Sequence, residues 1–278
     1  MEVLTIVLSG LLSLASSGGI IADSVAASRI RSQIISLEEQ KIRIDNSPNY
    51  AVAGGKLQKV RIATRGSKIK PDLRIEALEL ETDRVDLNLK RLNLDSIDEL
   101  RRSLNRPFQG AVRLVLTEVD LNRALKSPLI LDRIQKILNR LIISKAGSTN
   151  IAYKLLDLKL ELRPQNRLGV KFKLSRSRSA FETDRHSGTS RSRELVMELE
   201  LGVRVVNGKT IALIEPQGTV NGRPMSPRLL NGFAIGISDR LDLGSLSRDG
   251  ILARILQLEI DEDKVELASF FKLETKNP

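Results

Sequence analysis

Polar and apolar residues alternate with period two along most of this chain, and where that rhythm stops a helical spacing takes over. Lys41–Ile44 and Leu57–Ile62 alternate as half-buried strands do. Leu73-Arg74-Ile75-Glu76-Ala77 continues the pattern, but Ala77 and Leu78 are adjacent apolar residues and the phase reverses. Leu78, Leu80, Val85, Leu87 and Leu89 then fall on the other face. A bulge near Ala77 is the expected repair, and long bulged strands imply a strongly curved sheet. Ile97–Leu104 reads as a short charged helix ended by Pro107.

Phe108–Leu116 is the next strand, with Val112, Leu114 and Leu116 on one side. Thr117-Glu118-Val119-Asp120 reads as a helix start. Thr117 accepts from the third helical amide and Asp120 reaches back to the Thr117 amide, as in a capping box, while the acids suit the N-terminal dipole. Leu121, Ala124 and Leu125 recur at helical spacing. Ser127-Pro128 restarts the helix, serine as cap and proline in the first turn. Leu131, Ile134, Ile137, Leu138, Leu141 and Ile142 then form one apolar face, with Asp132, Arg133, Lys136, Asn139 and Arg140 opposite. A strand feeding a long amphipathic helix lays that helix on a sheet to bury both.

After a turn at Gly147–Asn150, strands are expected at Tyr153–Leu162, Leu168–Leu174, Leu195–Val206 and Thr210–Ile214. Asn207-Gly208 is a two-residue hairpin signal. A second helix over Pro224–Ile237 again opens on Ser-Pro, at Ser226-Pro227. Strands at Ile255–Ile260 and Val265–Leu273 close the chain around the acidic turn Asp261-Glu262-Asp263. Two runs of strands, each followed by a Ser-Pro helix, hint at duplication, but Ser-Pro is also a generally useful helix opening.

The N-terminus differs in character. Val3–Ile21 carries no charge but is diluted by serines and glycines, and Thr5, Ser9, Ser13 and Ser16 form a small-polar stripe opposite Leu4, Leu8, Leu11 and Ala15. Nineteen residues is near the minimum for a bilayer span, and only Met1-Glu2 precedes the run where a secretory signal would carry Lys or Arg. The stretch reads as a groove-docked helix, a membrane anchor or a signal. A second helix follows to about Ile35. The division expected is an apolar N-terminal helix over 1–22 and one α+β domain over 23–278.

There are no cysteines and one histidine, His186, in a Ser/Arg-rich segment. Disulfides, thiolate metal sites and metal–histidine clusters are thereby excluded. Gly208-Lys209-Thr210 lacks the upstream glycine of a phosphate-binding loop, and neither a G-x-G-x-x-G run nor a G-x-S-x-G elbow occurs. Glu76, Glu79, Glu81, Asp83 and Asp86 alternate with apolar residues, as the solvated face of an amphipathic sheet does. No enzyme, no cofactor and no metal is expected. The formal charge of +11 asks for an anionic partner. A basic, serine-rich loop at 175–193, carrying Arg176, Arg178, Arg191 and Arg193, follows a strand that carries Lys171 and Lys173. An anionic bilayer attracts such side chains at ~1 kcal/mol each. Base stacking needs aromatics, which are 3% of the chain, so nucleic-acid binding or a basic scaffold is the alternative reading.

Leu73–Leu80 together with Phe108–Leu125 resembles the bacterial LmeA-like phospholipid-binding family, whose Gly-led strand running into a Thr-(Glu)-x-Asp-Leu helix start matches Gly110 and Thr117–Leu121. The resemblance, over about Ile20–Leu273, implies a TULIP-like fold: a highly curved antiparallel sheet wrapped around a long amphipathic helix. It implies binding of phospholipid acyl chains and lipid transport at a bacterial inner or internal membrane, in envelope lipid handling, without catalysis. The aliphatic strands suit that, since each buried CH₂ contributes ~0.8 kcal/mol. The expected groove residues are Leu78, Leu80, Leu87, Leu89, Leu114, Leu116, Met197, Leu199 and Leu201 from strands, with Leu125, Ile134 and Leu138 from the helix. Lys171, Lys173, Arg176, Arg178, Arg191 and Arg193 are the expected contacts to an anionic surface.

Overall fold

The computed structural model describes residues 34–45, 54–91, 96–143, 151–178 and 194–276, with backbone alone at 137–143, 151–152 and 176–178. The expected N-terminal helix over 1–22, the continuation towards Ile35, the turn at 147–150 and most of the loop at 175–193 lie outside the described residues.

Alternation produces strands, as expected, but they form two sheets. The first contains β1 (Glu39–Asp45), β3 (Lys59–Lys70), β4 (Leu73–Thr82), β6 (Phe108–Thr117), β13 (Lys264–Leu273) and β12 (Ile251–Ile260), in the order β1-β3-β4-β6-β13-β12. All its pairings are antiparallel. The second contains β7 (Ile151–Arg163), β8 (Arg167–Arg178), β9 (Glu194–Val206), β10 (Thr210–Val220) and β11 (Arg223–Pro224), in the order β11-β10-β9-β8-β7. A short pair, β2 (Lys56–Leu57) with β5 (Val85–Asp86), flanks the first. The fold class is thus α+β with mostly antiparallel sheet. Where one sheet wrapped around a helix was expected, the C-terminal hairpin returns to pair with β6, far back in sequence, and leaves the strands from β7 to β11 as a sheet of their own.

No register shift occurs at Ala77, where a bulge was expected: Arg65 pairs with Ala77 and Thr64 with Leu78. Ile75 and Leu78, on opposite faces by alternation, are both buried, so both phases of the pattern find cover in β4. The shifts fall instead at Lys68–Lys70, Leu155–Asp157, Ile214–Gln217 and Ile255–Gln257. Gly110 is required by close approach rather than by φ. A Cβ there would stand 2.5 Å from the Glu81 carbonyl oxygen and 3.1 Å from the Phe271 ring, so any larger residue would push β4 and β6 apart. The β9–β10 hairpin turns on Asn207 and Gly208 with φ of 54° and 64°, the left-handed pair a two-residue turn demands.

Four α-helices are described: α1 (Ile97–Ser103), α2 (Glu118–Leu125), α3 (Pro128–Ile143) and α4 (Pro227–Ser238). Ser226 caps α4 by accepting from the Leu229 amide at 3.3 Å. β7 is an edge strand whose unpaired backbone invites association, and side-chain amides close it. Asn122 of α2 exchanges two hydrogen bonds with the Leu160 backbone, each 2.8 Å, as a neighbouring strand would. Glu118 accepts from the Leu162 amide at 2.9 Å. Gln135 of α3 repeats the device, donating to the Tyr153 carbonyl and accepting from the Leu155 amide at 2.6 Å. Both helices are thereby fastened along β7.

Three apolar clusters result. One, beneath α1, gathers Val60, Val85, Leu100, Phe108 and Leu273. A second lies between the five-stranded sheet and its helices, around Leu158, Phe172, Leu174, Leu199 and Leu230. The third, at the corner where the sheets meet, joins Leu162, Leu201 and Val203 to Ile260. Asn166 clamps that corner, its side chain accepting from the Ile260 amide at 2.7 Å.

Candidate functional site

The helix start that opens α2 is built much as its residue types demand. Thr117 Oγ1 accepts from the Asp120 amide at 3.2 Å. The carboxylate of Asp120 does not reach back to the Thr117 amide. It accepts from the Thr117 hydroxyl at 2.8 Å and from the guanidinium groups of Arg74 and Arg123, each at 2.9 Å. Asp120 is 3% exposed. Arg74 also holds Glu38 and Glu76, and hydrogen bonds, to Glu38 first, raise its pKa. The acid is therefore an ion-pair hub that ties α2 to β4, a role the capping signal alone did not reveal.

From that anchor α2 and α3 run along β7 while α4 packs along β10. Between them lies the apolar face of β8 and β9. Its centre is buried, at Phe172, Leu174 and Leu199, but Leu125, Ile134, Leu155, Val170, Met197 and Phe233 around it are only partly covered. The helices do not seal this seam. A cleft of ≈ 360 Å³ opens between α3 and β7, lined by Leu131, Asp132, Gln135, Tyr153, Lys154 and Leu155. Leu129 of α3 and Leu156 of β7 are 62% and 49% exposed. This partly open slot sets Leu131, Tyr153 and Leu155 beside Asp132, Gln135 and Lys154, and its apolar walls offer a flexible hydrocarbon chain burial without directional contacts.

The structure divides the groove residues expected from sequence. Leu125, Ile134, Met197 and Leu199 come together in the seam. Leu201 belongs to the corner cluster. Leu78 and Leu114 are register neighbours on the first sheet, Leu78 buried and Leu114 half-buried, and Leu116 pairs with Val265 at the corner. Leu80 and Leu87 are buried beneath α1, with Leu89 packed against them. The side chain of Leu138 lies outside the described residues. Sequence alone did not single out Val170, Leu155 and Phe233. Each is an ordinary apolar residue whose partial exposure depends on where α3 and α4 stop.

Among the expected basic contacts, Lys171 and Lys173 are exposed on the charged face of the five-stranded sheet, opposite the seam. Lys171 lies 3.4 Å from Glu161 and 3.7 Å from Glu198. Hydrogen bonding to Lys159, with Lys171 adding, holds the Glu161 carboxyl below its usual range. Arg167 and Arg163 do the same for Glu200. The side chains of Arg176 and Arg178, and all of Arg191 and Arg193, lie outside the described residues. No helix among the described residues is long and apolar enough to cross a membrane.

A family model described as LmeA-like phospholipid-binding matches residues 16–270. No curated protein and no solved structure matches the chain.

Proposed function

The chain belongs to the LmeA-like phospholipid-binding family, and from that premise we propose that it binds a phospholipid without converting it, acyl chains lying in the seam between α3 and α4. The observation that carries the reading is the ring of half-covered apolar side chains around Phe172 and Leu199, with the cleft beside α3 as its mouth. Leu125, Ile134, Met197 and Leu199 of the seam hold the chains, together with Leu138 of α3. Leu78, Leu114, Leu116 and Leu201 continue the apolar surface toward the corner, and Leu80, Leu87 and Leu89 back it as core. The lipid-binding unit is one α+β domain from residue 23 onward. Its site of action is a bacterial membrane, approached through Lys171, Lys173, Arg176, Arg178, Arg191 and Arg193, and its role is to carry lipid rather than only to hold it.

Hydrophobicity supplies the affinity. Each methylene buried contributes ~0.8 kcal/mol, so a few buried carbons outweigh the ordering of one chain. A charge placed in the seam should therefore undo binding, because an ammonium cannot be desolvated beside hydrocarbon without a partner. Met197→Lys should weaken uptake of a phospholipid with a fluorescent acyl chain at least tenfold, while Met197→Leu keeps it within about twofold, since the leucine conserves volume. Circular dichroism melts of both variants separate lost binding from lost fold. Lipid uptake by folded Met197→Lys equal to that of the unaltered chain would overturn the seam as the site.

A further inference from the structure

The polar face of the six-stranded sheet is not a plain solvated surface. Lys41 and Arg43 of β1 and Leu256 of β12 line one and the same cleft, of ≈ 780 Å³, although β1 and β12 are the opposite edges of the sheet. The sheet is therefore rolled into a trough with this face inside. Register sets what crosses its floor. In one row Ala63 pairs with Glu79, Glu79 with Arg113 and Arg113 with Ala268. In the next, Arg61 pairs with Glu81, Glu81 with Ala111 and Ala111 with Phe270. The charges on the floor are spent on each other. Arg61 holds Glu81 at 3.0 Å and Asp45 at 2.6 Å, and Arg113 holds Glu266 at 2.6 Å and Glu79 at 3.0 Å. What lines the cleft towards β13 and β12 is largely small or apolar, Ala111, Ala268, Phe270 and Leu256, the last 65% exposed on its bulge, while the β12 partners of Ala268 and Phe270 are Gln257 and Arg254.

One row further along, the trough runs into a second cleft of ≈ 470 Å³, which shares Asp83 with the first and is lined by Arg84, Arg106, Pro107, Gln109 and Lys272. Asp83 is occupied by the Gln109 amide at 2.7 Å, and Lys272 is paired with Glu274. Arg84 and Arg106 are exposed and make no ion pair among the described residues. Two guanidinium groups without an ion pair among the described residues, at the end of a trough whose floor includes Ala111 and Ala268, complement a phosphate with a short apolar tail, because a guanidinium fork matches phosphate oxygens in geometry as well as charge.

We propose that this trough is a second ligand site, separate from the seam, which binds the phosphate head group of an anionic amphiphile between Arg84 and Arg106 and lays hydrocarbon over Ala111, Phe270, Ala268 and Leu256. It lies on a different sheet and a different face from Met197, so the two sites fail independently.

The test uses the full chain carrying Met197→Lys, in which the seam is closed to hydrocarbon, and isothermal titration with short-chain phosphatidylglycerol below its micelle concentration. Binding should persist in that background. It should fall about tenfold or more when Arg84→Gln and Arg106→Gln are added, the loss of at least one charge-assisted contact at 1.4 kcal/mol per decade. Ala111→Trp, at an exposed position, should block the lipid by filling the floor and leave the melting temperature in place. Inorganic phosphate should bind more weakly than the lipid and be insensitive to Ala111→Trp. Any of three results overturns the proposal: no binding once Met197 is replaced, lipid binding unchanged by the two arginine substitutions, or phosphate binding as tight as the lipid's.

Discussion

Phe108→Ala is expected to cost about 4 kcal/mol, the middle of the range for truncating a buried aromatic. The ring is fully buried, at 0% exposure. It packs at 5.4 Å from Phe271 and belongs to a cluster in which Val60, Val85 and Leu273 are almost as completely enclosed. β4, β6, β13 and α1 all bear on that cluster, so no single element can move in to fill the void. Since folded proteins hold only about 5–15 kcal/mol in reserve, the loss should be plain in the urea midpoint, with the slope unchanged if unfolding stays two-state. Phospholipid affinity per folded molecule should not change, because Phe108 contributes nothing to the seam. A midpoint shift below about 1 kcal/mol would mean that this end of the molecule is less solid than its burial indicates.

Asp120→Ala comes next, at about 3 kcal/mol, in line with breaking a buried charge pair by removing one partner. Three donors converge on its carboxylate: the hydroxyl of Thr117 and the guanidinium groups of Arg74 and Arg123. Arg74 keeps Glu38 and Glu76 after the change, which is why the cost is not larger. Asp120→Asn preserves shape but replaces a charged acceptor with a neutral one and turns an N–H₂ toward donors, so it should recover less than half of the loss. Because Asn122 and Glu118 on the same short helix close the edge of β7, loosening α2 exposes that edge. Hydrogen exchange at the Leu160 and Leu162 amides should accelerate in Asp120→Ala more than at Phe172, in the middle of the sheet. Uniform acceleration would argue that Asp120 acts on global stability alone.

Period-two alternation made the strands legible, and Asn207-Gly208, Ser226-Pro227 and Thr117–Asp120 marked their turns and helix starts where the chain places them. Partners were not legible. Nothing in Val265–Leu273 records that it will pair with Phe108–Thr117, so alternation alone points to one curved sheet where the chain forms two large sheets and a short pair. Sidedness also escaped the pattern. Glu79, Glu81, Arg61 and Arg113 look like a solvated face because they alternate with leucines and valines, yet curling places them inside a trough. Alternation separates two faces but carries no information about which one the curvature encloses. The seam was half legible for the same reason. Met197 and Leu199 were identifiable as apolar, whereas the openness of the slot depends on the side-chain amides of Asn122 and Gln135 holding α2 and α3 at the edge of β7. Neither amide stands out in sequence.

Room for hydrocarbon between sheet and helices should be visible in native mass spectrometry of the chain purified without detergent. The expected result is a species heavier than the bare chain by the mass of a phospholipid, lost on delipidation and regained with lipid extract. A single lipid-free species that takes up nothing from the extract would contradict it.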